Sequence, residues 1–351
     1  MMLHFCNQVS AEETSTQQTG NFWLSGYLET YYLLDTNHPP TEERPDFAYS
    51  HNAVGKSSIN LGFVKAHFDS ERMRANLALG SGTYMRANYA AESKDFQKVL
   101  EANIGFRLSD HVWLDAGVMP SHIGFESAVG LENWTLTRSM PADNSPYFET
   151  GIKISYSSED GKWFASGLIL NGWQRIQRAE GNTTPAIGHQ LTYKPNARIT
   201  LNSSSFIGND KSDRERRMRY FHHFYGQYQL NDRWGLITGF DIGAEQAEKN
   251  SESYHVWFTP ILVSQYQYSE KLSFTARAEY YQDKDQVIVT TDTPNGFRTW
   301  SYSANLDYRL SKRFAIRAEL RRFDSKDNIF QERNGLSDQS TTVTTAAIFS
   351  F

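Results

Sequence analysis

An all-β fold is predicted, an antiparallel transmembrane β-barrel of about sixteen strands, and three observations predict it. Over most of the 351 residues apolar and polar side chains alternate with a period of two, the pattern of strands whose two faces meet different surroundings. Seven short polar turns alternate with eight long polar connections, the plan of strands that cross a membrane and return. The last eleven residues, Thr341 to Phe351, form one alternating run that ends on a bare aromatic carboxy-terminus. Read backwards, Phe351, Phe349, Ala347, Thr345 and Val343 share one apolar to weakly polar face.

Composition agrees with that class. Aromatics make up 14% and hydrophobic residues only 39%, with a mean hydropathy of -0.59. No stretch approaches the roughly eighteen apolar residues of a spanning helix, whereas a spanning strand needs about ten and shows lipid only every second one. A chain that is polar overall yet rich in Tyr, Phe and Trp fits a wet lumen and two aromatic girdles. The formal charge of -5, with no basic stripe, gives nucleic-acid binding no support. Cys6 is the single cysteine, so an internal disulfide is excluded.

Residues 1–20 read as the remnant of a secretory signal and a polar leader. Val9-Ser10-Ala11 offers small residues to a signal peptidase, but Met1 to Phe5 is too short for an apolar core and lacks a basic start, so the true signal is expected to begin upstream. Leu3-His4-Phe5 lacks the small residues that precede a lipidated cysteine. From residue 21 to 351 no linker or composition shift divides the chain, and one barrel domain is expected.

Along that domain the turns fall at Asp69-Ser70-Glu71, Ser109-Asp110-His111, Glu159-Asp160-Gly161-Lys162, Pro195-Asn196-Ala197, Asn231-Asp232-Arg233, Ser269-Glu270-Lys271 and Ser311-Lys312. Each sets an acid, Asn or Ser close to a basic residue or His, or to a small residue. The long connections fall near 35–55, 83–95, 119–146, 173–186, 207–217, 244–253, 282–296 and 323–340. Seven hairpins with a first and a last strand make sixteen, with short turns in the periplasm and long loops outside. The first run, 58–68, changes phase near Phe63-Val64, which a bulge would explain. In the next clear strand Leu100, Ala102, Ile104, Phe106 and Leu108 share one face against Glu101, Asn103, Gly105 and Arg107. The stretch 218–229 has no clean face. Later, Trp300, Tyr302, Ala304, Leu306, Tyr308 and Leu310 oppose Ser301, Ser303, Asn305, Asp307 and Arg309. Phe314, Ile316, Ala318 and Leu320 oppose Arg313, Arg317, Glu319 and Arg321. A soluble sheet alternates too, but here the apolar faces begin or end on Trp and Tyr, and sixteen two-faced strands leave nothing to cover them.

Several apparent motifs fail on physical grounds. Ala53-Val54-Gly55-Lys56-Ser57-Ser58 resembles a phosphate loop, but Ser50 stands where its first glycine belongs and no strand-then-helix unit surrounds it. His222 and His223 are strand neighbours that point to opposite faces and cannot chelate one ion. His189 shares a face with Ile187, Leu191 and Tyr193, as in an interface belt. No nucleophile with an ordered base emerges, so no catalytic residue and no cofactor is assigned.

The third connection, about 119–146, is the longest and is rich in Gly, Pro and aromatics, with Glu126, Glu132, Arg138 and Asp143. A wall of sixteen strands encloses more space than side chains fill, and a long loop folded inward would narrow it. Charges predicted to face inward are Arg277 with Glu279, Asp307 with Arg309, and Arg317, Glu319 and Arg321 on three consecutive strands. Arg72 and Arg74 join them early in another strand and Arg107 near the end of the next. Opposed signs on such walls orient small polar solutes and bias ion choice. The same charges would also serve simply by pairing with one another.

The stretches SGYLETYY at 25–32, WLDAGVMPSHIGFESAVGLENWTLTRSMPADNSPYFETGIKISY at 113–156, GLILNGWQRIQ at 167–177, TYKPNARITLNSSSFIGND at 192–210, GLITGFDIG at 235–243 and ARAEYYQDK at 276–284 resemble the β-barrel porin type 2 family of Gram-negative outer membranes, found widely in Bacteroidetes. The segment from PSHIGFES to ENWTLTRS is the most specific and coincides with the third connection. The resemblance implies an outer-membrane barrel with porin activity and no particular solute. The expected function is passive diffusion of small hydrophilic solutes through a water-filled pore, with membrane lipid and the barrel-assembly machinery, engaged through the strand ending at Phe351, as partners. A homotrimer is compatible with this reading, and an outer-membrane hydrolase or a barrel-anchored adhesin are the alternatives.

Overall fold

The computed structural model describes residues 20–351; the expected signal remnant and Cys6 lie outside the described residues. The strands in chain order are β1 (Asn21–Asp35), β2 (Ser57–Asp69), β3 (Met73–Ser81), β4 (Val99–Ser109), β5 (Val112–Pro120), β6 (Phe148–Ser157), β7 (Trp163–Leu170), β8 (Ala186–Asn196), β9 (Ile199–Gly208), β10 (Arg219–Gln229), β11 (Trp234–Gln246), β12 (Tyr254–Gln267), β13 (Leu272–Asp283), β14 (Phe297–Arg309) and β15 (Phe314–Ser325). A small hairpin, β16 (Phe330–Glu332) and β17 (Gly335–Ser337), precedes β18 (Gln339–Ser350). Two short helices, α1 (Thr83–Asn88) and α2 (Met140–Asp143), sit in the connections. Each strand pairs antiparallel with its neighbour, and β1 pairs with β18, so sixteen strands close on themselves. No described helix is long and apolar enough to cross a membrane.

The seven turns and eight long connections stand where turn chemistry places them, at opposite ends of the barrel. The acids, Asn and Ser of the turns work by accepting backbone N–H groups that a tight reversal leaves without a partner. Asn231 Oδ1 accepts from Arg233 N and Trp234 N at 3.0 Å each, and Ser311 Oγ accepts from Arg313 N and Phe314 N at 3.1 Å each. Asp160 Oδ1 accepts from Lys162 N, next to Gly161, whose φ of 68° suits glycine.

The barrel inverts the burial pattern of a soluble protein. Ile104, Phe106, Trp300, Tyr302, Leu306, Val343 and Phe349 are exposed, while Glu29, Arg277, Glu279, Glu319 and Arg321 are buried. Apolar side chains on the outside and charges within are stable only where acyl chains replace water around the wall. His222 lies on the outer face with His189, near Ser203 and Ser205, whereas His223 points inward to Asp241.

Two phase readings are corrected. The bulge in β2 lies at Asn60, where the register with β1 jumps between Glu29 and Thr30, and not at Phe63-Val64. Asn60 turns inward there and its Nδ2 donates to Glu29 Oε2 at 2.9 Å. Leu100 is itself a bulge residue, because Ala78 faces Glu101 and Leu79 faces Val99, and it lines the interior cavity rather than the outer face. Both bulges sit near the end that carries the long connections.

Much of that half of the lumen is filled. The first connection (36–56), the second (82–98) and the third (121–147) fold inside, and their apolar residues pack on inward wall residues. Tyr84 and Tyr89 pack with Tyr31, Leu61, Leu136 and Phe148, and the Tyr89 and Phe148 rings stack 4.1 Å apart. Phe47 packs against Phe297, Phe323 and Phe330.

Candidate functional site: the third connection and the lumenal wall

The third connection circles the inside of the wall and is fastened at three places. On leaving β5, His122 Nδ1 meets Glu149 Oε2 of β6 at 2.6 Å, while its Nε2 lies 2.8 Å from the Ser205 carbonyl of β9. Its own carbonyl accepts from Ser204 Oγ, and Gly124 N donates to His223 Nδ1 of β10. The imidazole is buried, which pushes its pKa down, but the Glu149 carboxylate more than offsets this and the pKa is raised. Gly188 leaves room for the ring, since a Cβ there would lie 2.7 Å from Nε2.

At the tip, Gly130 N donates to Tyr27 OH of β1 and Gly130 O accepts from Arg317 Nη1 of β15. Arg317 also donates to Asn133 O and grips Asp307 with two bonds of 2.6 and 2.8 Å.

The returning limb, 135–140, bends through 135–137 and enters α2 at Met140 with no sheet partner, so its peptide groups need acceptors and donors from elsewhere. The wall supplies them. Asn305 Oδ1, Glu319 Oε2 and Glu279 Oε2 accept from Leu136 N, Thr137 N and Met140 N at 2.9, 2.6 and 2.7 Å. Arg277 Nη1 donates to Thr137 O and Arg321 Nη1 to Arg138 O, at 2.7 and 2.6 Å. The ions are also paired among themselves, Arg277 Nη2 with Glu319 at 2.8 Å and Arg321 Nη2 with Glu279 at 2.6 Å. Alternate residues on a strand lie on one face at about 6.7 Å intervals. Arg277 and Glu279, and Arg317, Glu319 and Arg321, thereby form a comb whose teeth meet the peptide groups of the segment lying across it.

Of the residues expected at the constriction, Glu126 is buried and accepts from Ser139 N and Oγ, with Arg277 3.8 Å away. Arg138 is fully buried and donates to the loop's own carbonyls at Leu136 and Ala128. Asp143 is buried and accepts from Ser50 Oγ of the first connection at 2.9 Å, and Asn144 Nδ2 donates to Phe47 O. Burial pushes the Asp143 carboxyl up to about 6 against the pull of Arg44 and Arg321. Glu132 is exposed and lines the interior cavity.

The expected wall charges divide into two groups. Arg277, Glu279, Asp307, Arg317, Glu319 and Arg321 are all brought together, but they lie beneath the third connection, nearly closed off from solvent. Arg309 sits exposed at the turn end of β14, apart from them. Arg72 lies in the β2–β3 turn, exposed, and not in a strand. Arg74 and Arg107 face the lumen on β3 and β4 with side chains about one-third exposed. A cavity of about 380 Å³ separates the third connection from the β2–β4 wall, lined by Phe63, Lys65, Glu101, Phe125, Glu132 and Tyr225 among others. Lys65 and Glu101 pair across it. Lys65, Asp115, Lys153 and the His122–Glu149 pair are lumenal groups that sequence reasoning passed over. Parity offered a signal for Lys153, which stands between the outward Ile152 and Ile154.

A closed sixteen-strand antiparallel barrel with this inverted burial and an inward third connection defines an outer-membrane porin architecture. The chain matches the family described as "Putative beta-barrel porin-2, OmpL-like" over residues 21–351, and it belongs to that family. Its place is the bacterial outer membrane. No curated protein matches the chain in sequence. Among solved structures it is similar to the anion-selective porin from Comamonas acidovorans, with a TM-score of 0.63, 12% identity and coverage of 95% of this chain and 100% of that one. It is also similar to the outer membrane channel DcaP of Acinetobacter baumannii, with a TM-score of 0.60, 11% identity and coverage of 96% and 99%. The in-vitro folded outer membrane protein OmpT of Vibrio cholerae, in its trimer form, matches with a TM-score of 0.58, 10% identity and coverage of 95% and 99%.

Proposed function

We propose that the protein is a passive channel for small hydrophilic solutes, water-filled and narrowed by the third connection. The observation that carries this reading is the one-sided fastening of that connection. Apart from the His122–Glu149 bond at its start, its contacts run along β8–β11 and β13–β15 to β1, leaving the polar inner residues from Arg74 on β3 to Lys153 on β6 as the bank of an aqueous passage. A route of this kind needs no energy source, cofactor or catalytic group. The trimer form of one structural neighbour supports a homotrimer, and the paired seam at Phe351 supports recognition of the last strand during assembly.

The test is reconstitution in planar bilayers. Stepwise conductance is expected, and deletion of 122–143 is expected to raise unit conductance and the size limit for neutral sugars. A wild-type protein that inserts but gives no steps overturns the channel, and hydrolase or cell-binding assays then become the informative ones. An unchanged conductance after the deletion overturns the constriction alone.

A further inference from the structure

The inner wall carries its charges in two states. On β13–β15 the buried cluster Arg277, Glu279, Asp307, Arg317, Glu319 and Arg321 is spent on the third connection and on its own ion pairs, as described above. On β3–β6 one row of register partners, Arg74, Gly105, Asp115 and Lys153, stays open to the lumen. Gly105 is what allows Arg74 to lie flat across β4, since a Cβ there would lie 2.9 Å from Arg74 Cγ and 2.3 Å from Asp115 Oδ1. Arg74 therefore reaches both Asp115 oxygens, Nε to Oδ1 at 2.7 Å and Nη2 to Oδ2 at 2.6 Å, with its guanidinium 4.3 Å above the Trp113 ring.

That leaves Lys153 without a counter-ion. It faces Asp115 from the next strand, but both carboxylate oxygens are taken, and Lys153 forms no ion pair among the described residues. Arg74 Nη1 is likewise unused. One register step further, Ser155 pairs with Ser166, whose Oγ is more than nine-tenths buried and has no hydrogen-bond partner. Two cations, one satisfied carboxylate and an idle hydroxyl leave a net charge of one positive with N–H and O–H groups directed at the lumen. The remaining carboxylates nearby are occupied or distant in role: Glu149, on the same strand as Lys153, is held by His122, Glu101 is held by Lys65, Glu132 lines the cavity from the third connection, and Asp69 and Asp110 are exposed at the turns.

We infer that Lys153, with Arg74 and Ser166, forms a binding subsite for the carboxylate of a small organic anion in transit. The single residual positive charge matches a monoanion better than a phosphate, which carries close to two negative charges. The Lys153 ammonium supplies the charge, Arg74 Nη1 a second donor, and the Ser166 hydroxyl a third. This deepens the channel reading and rests on it.

The experiment uses the full chain in planar bilayers under a potassium chloride gradient, with benzoate or inorganic phosphate added to one side. Wild-type channels are expected to favour anions, and benzoate is expected to reduce the chloride current in a saturable way. Lys153→Met is expected to abolish that block and lower the chloride-to-potassium permeability ratio, and Ser166→Ala to weaken the block. Lys94→Met, on the exposed second connection, is expected to change neither. Heat-shifted gel mobility reports whether each variant is folded, and a Lys153→Gln variant replaces Lys153→Met if the latter fails to fold. Conducting Lys153 variants with unaltered block and selectivity overturn the subsite and leave the channel standing. Equal block by phosphate through the same residues overturns the carboxylate assignment, and a silent wild-type protein overturns site and channel together.

Discussion

Arg277 and Glu319 clasp the backbone of a single residue between them: Glu319 accepts the Thr137 N–H while Arg277 donates to the Thr137 carbonyl, and the two ions meet each other at 2.8 Å with no solvent access. Removing one partner leaves a buried charge without compensation, at a cost of roughly 3–5 kcal/mol. Arg277→Met is accordingly expected to loosen the returning limb, lower the urea midpoint in detergent and widen the distribution of unit conductances. Arg277→Met with Glu319→Gln is expected to recover part of the midpoint. A double variant less stable than the single one contradicts the clasp.

The Asp143 carboxyl, raised to about 6 from an ordinary 3.8, binds its proton more tightly in the folded protein than in the unfolded chain. Between those two values the folded state holds more protons, so stability falls as pH rises through the window and is greatest below it. The contact between first and third connections is expected to be firmest near pH 4 and weaker at pH 7, visible as increasing current fluctuation. Asp143→Asn is expected to flatten that dependence between pH 4 and 6.

His122 follows the same sign in the histidine range. Its raised pKa means that the bond to Glu149 contributes fully below the ordinary histidine range and is lost as pH climbs through the folded value. Hydrogen exchange at Gly124 N is expected to accelerate as pH rises above the ordinary histidine range. In His122→Gln the corresponding exchange is expected to be insensitive to pH, once its intrinsic base catalysis is subtracted.

Gly105→Ala places a carbon within 2.3 Å of the Asp115 carboxylate and 2.9 Å of Arg74 Cγ. Arg74 must then release Asp115, which becomes free to neutralise Lys153. With the net charge unchanged but Lys153 now paired, weaker block by benzoate is expected without loss of the folded barrel, read from single-channel currents.

Deletion of Phe351 removes the two bonds that end the seam, Gly26 N to Phe351 O and Phe351 N to Gly26 O, together with the ring that lies over Gly26. The folded fraction in the outer membrane is expected to drop, as judged by heat-shifted mobility, and Gly26→Leu is expected to do the same by displacing that ring.

The strand plan was legible because its determinants are local. Asn231, Ser311 and Gly161 announce reversals by their own chemistry, and period-two alternation sorts Trp300 and Tyr302 from Ser301 and Ser303 without reference to any partner. Bulges were not legible in the same way, since the extra residue at Asn60 or Leu100 is defined only against the strand beside it. The largest gap concerned the charges of β13–β15. Parity told that Arg277, Glu319 and Arg321 point inward but carried nothing about what would cover them, because the covering peptide lies about 140 to 180 residues away in the chain. Lys153 was legible by the same parity, yet its significance depends on Asp115 being claimed by Arg74.

The third connection is anchored to β1 at one point and to β15 at several, elements at opposite ends of the chain that β18 brings together only when the sheet closes. A nascent or partly assembled cylinder therefore cannot present the comb of donors and acceptors that this segment needs. The ring must close before that segment can seat fully, so its fastening is a late step in the maturation of the molecule. Until then the segment's peptide groups and the ions of β13–β15 lack their mutual partners, which ties the burial of those charges to completion of the final seam.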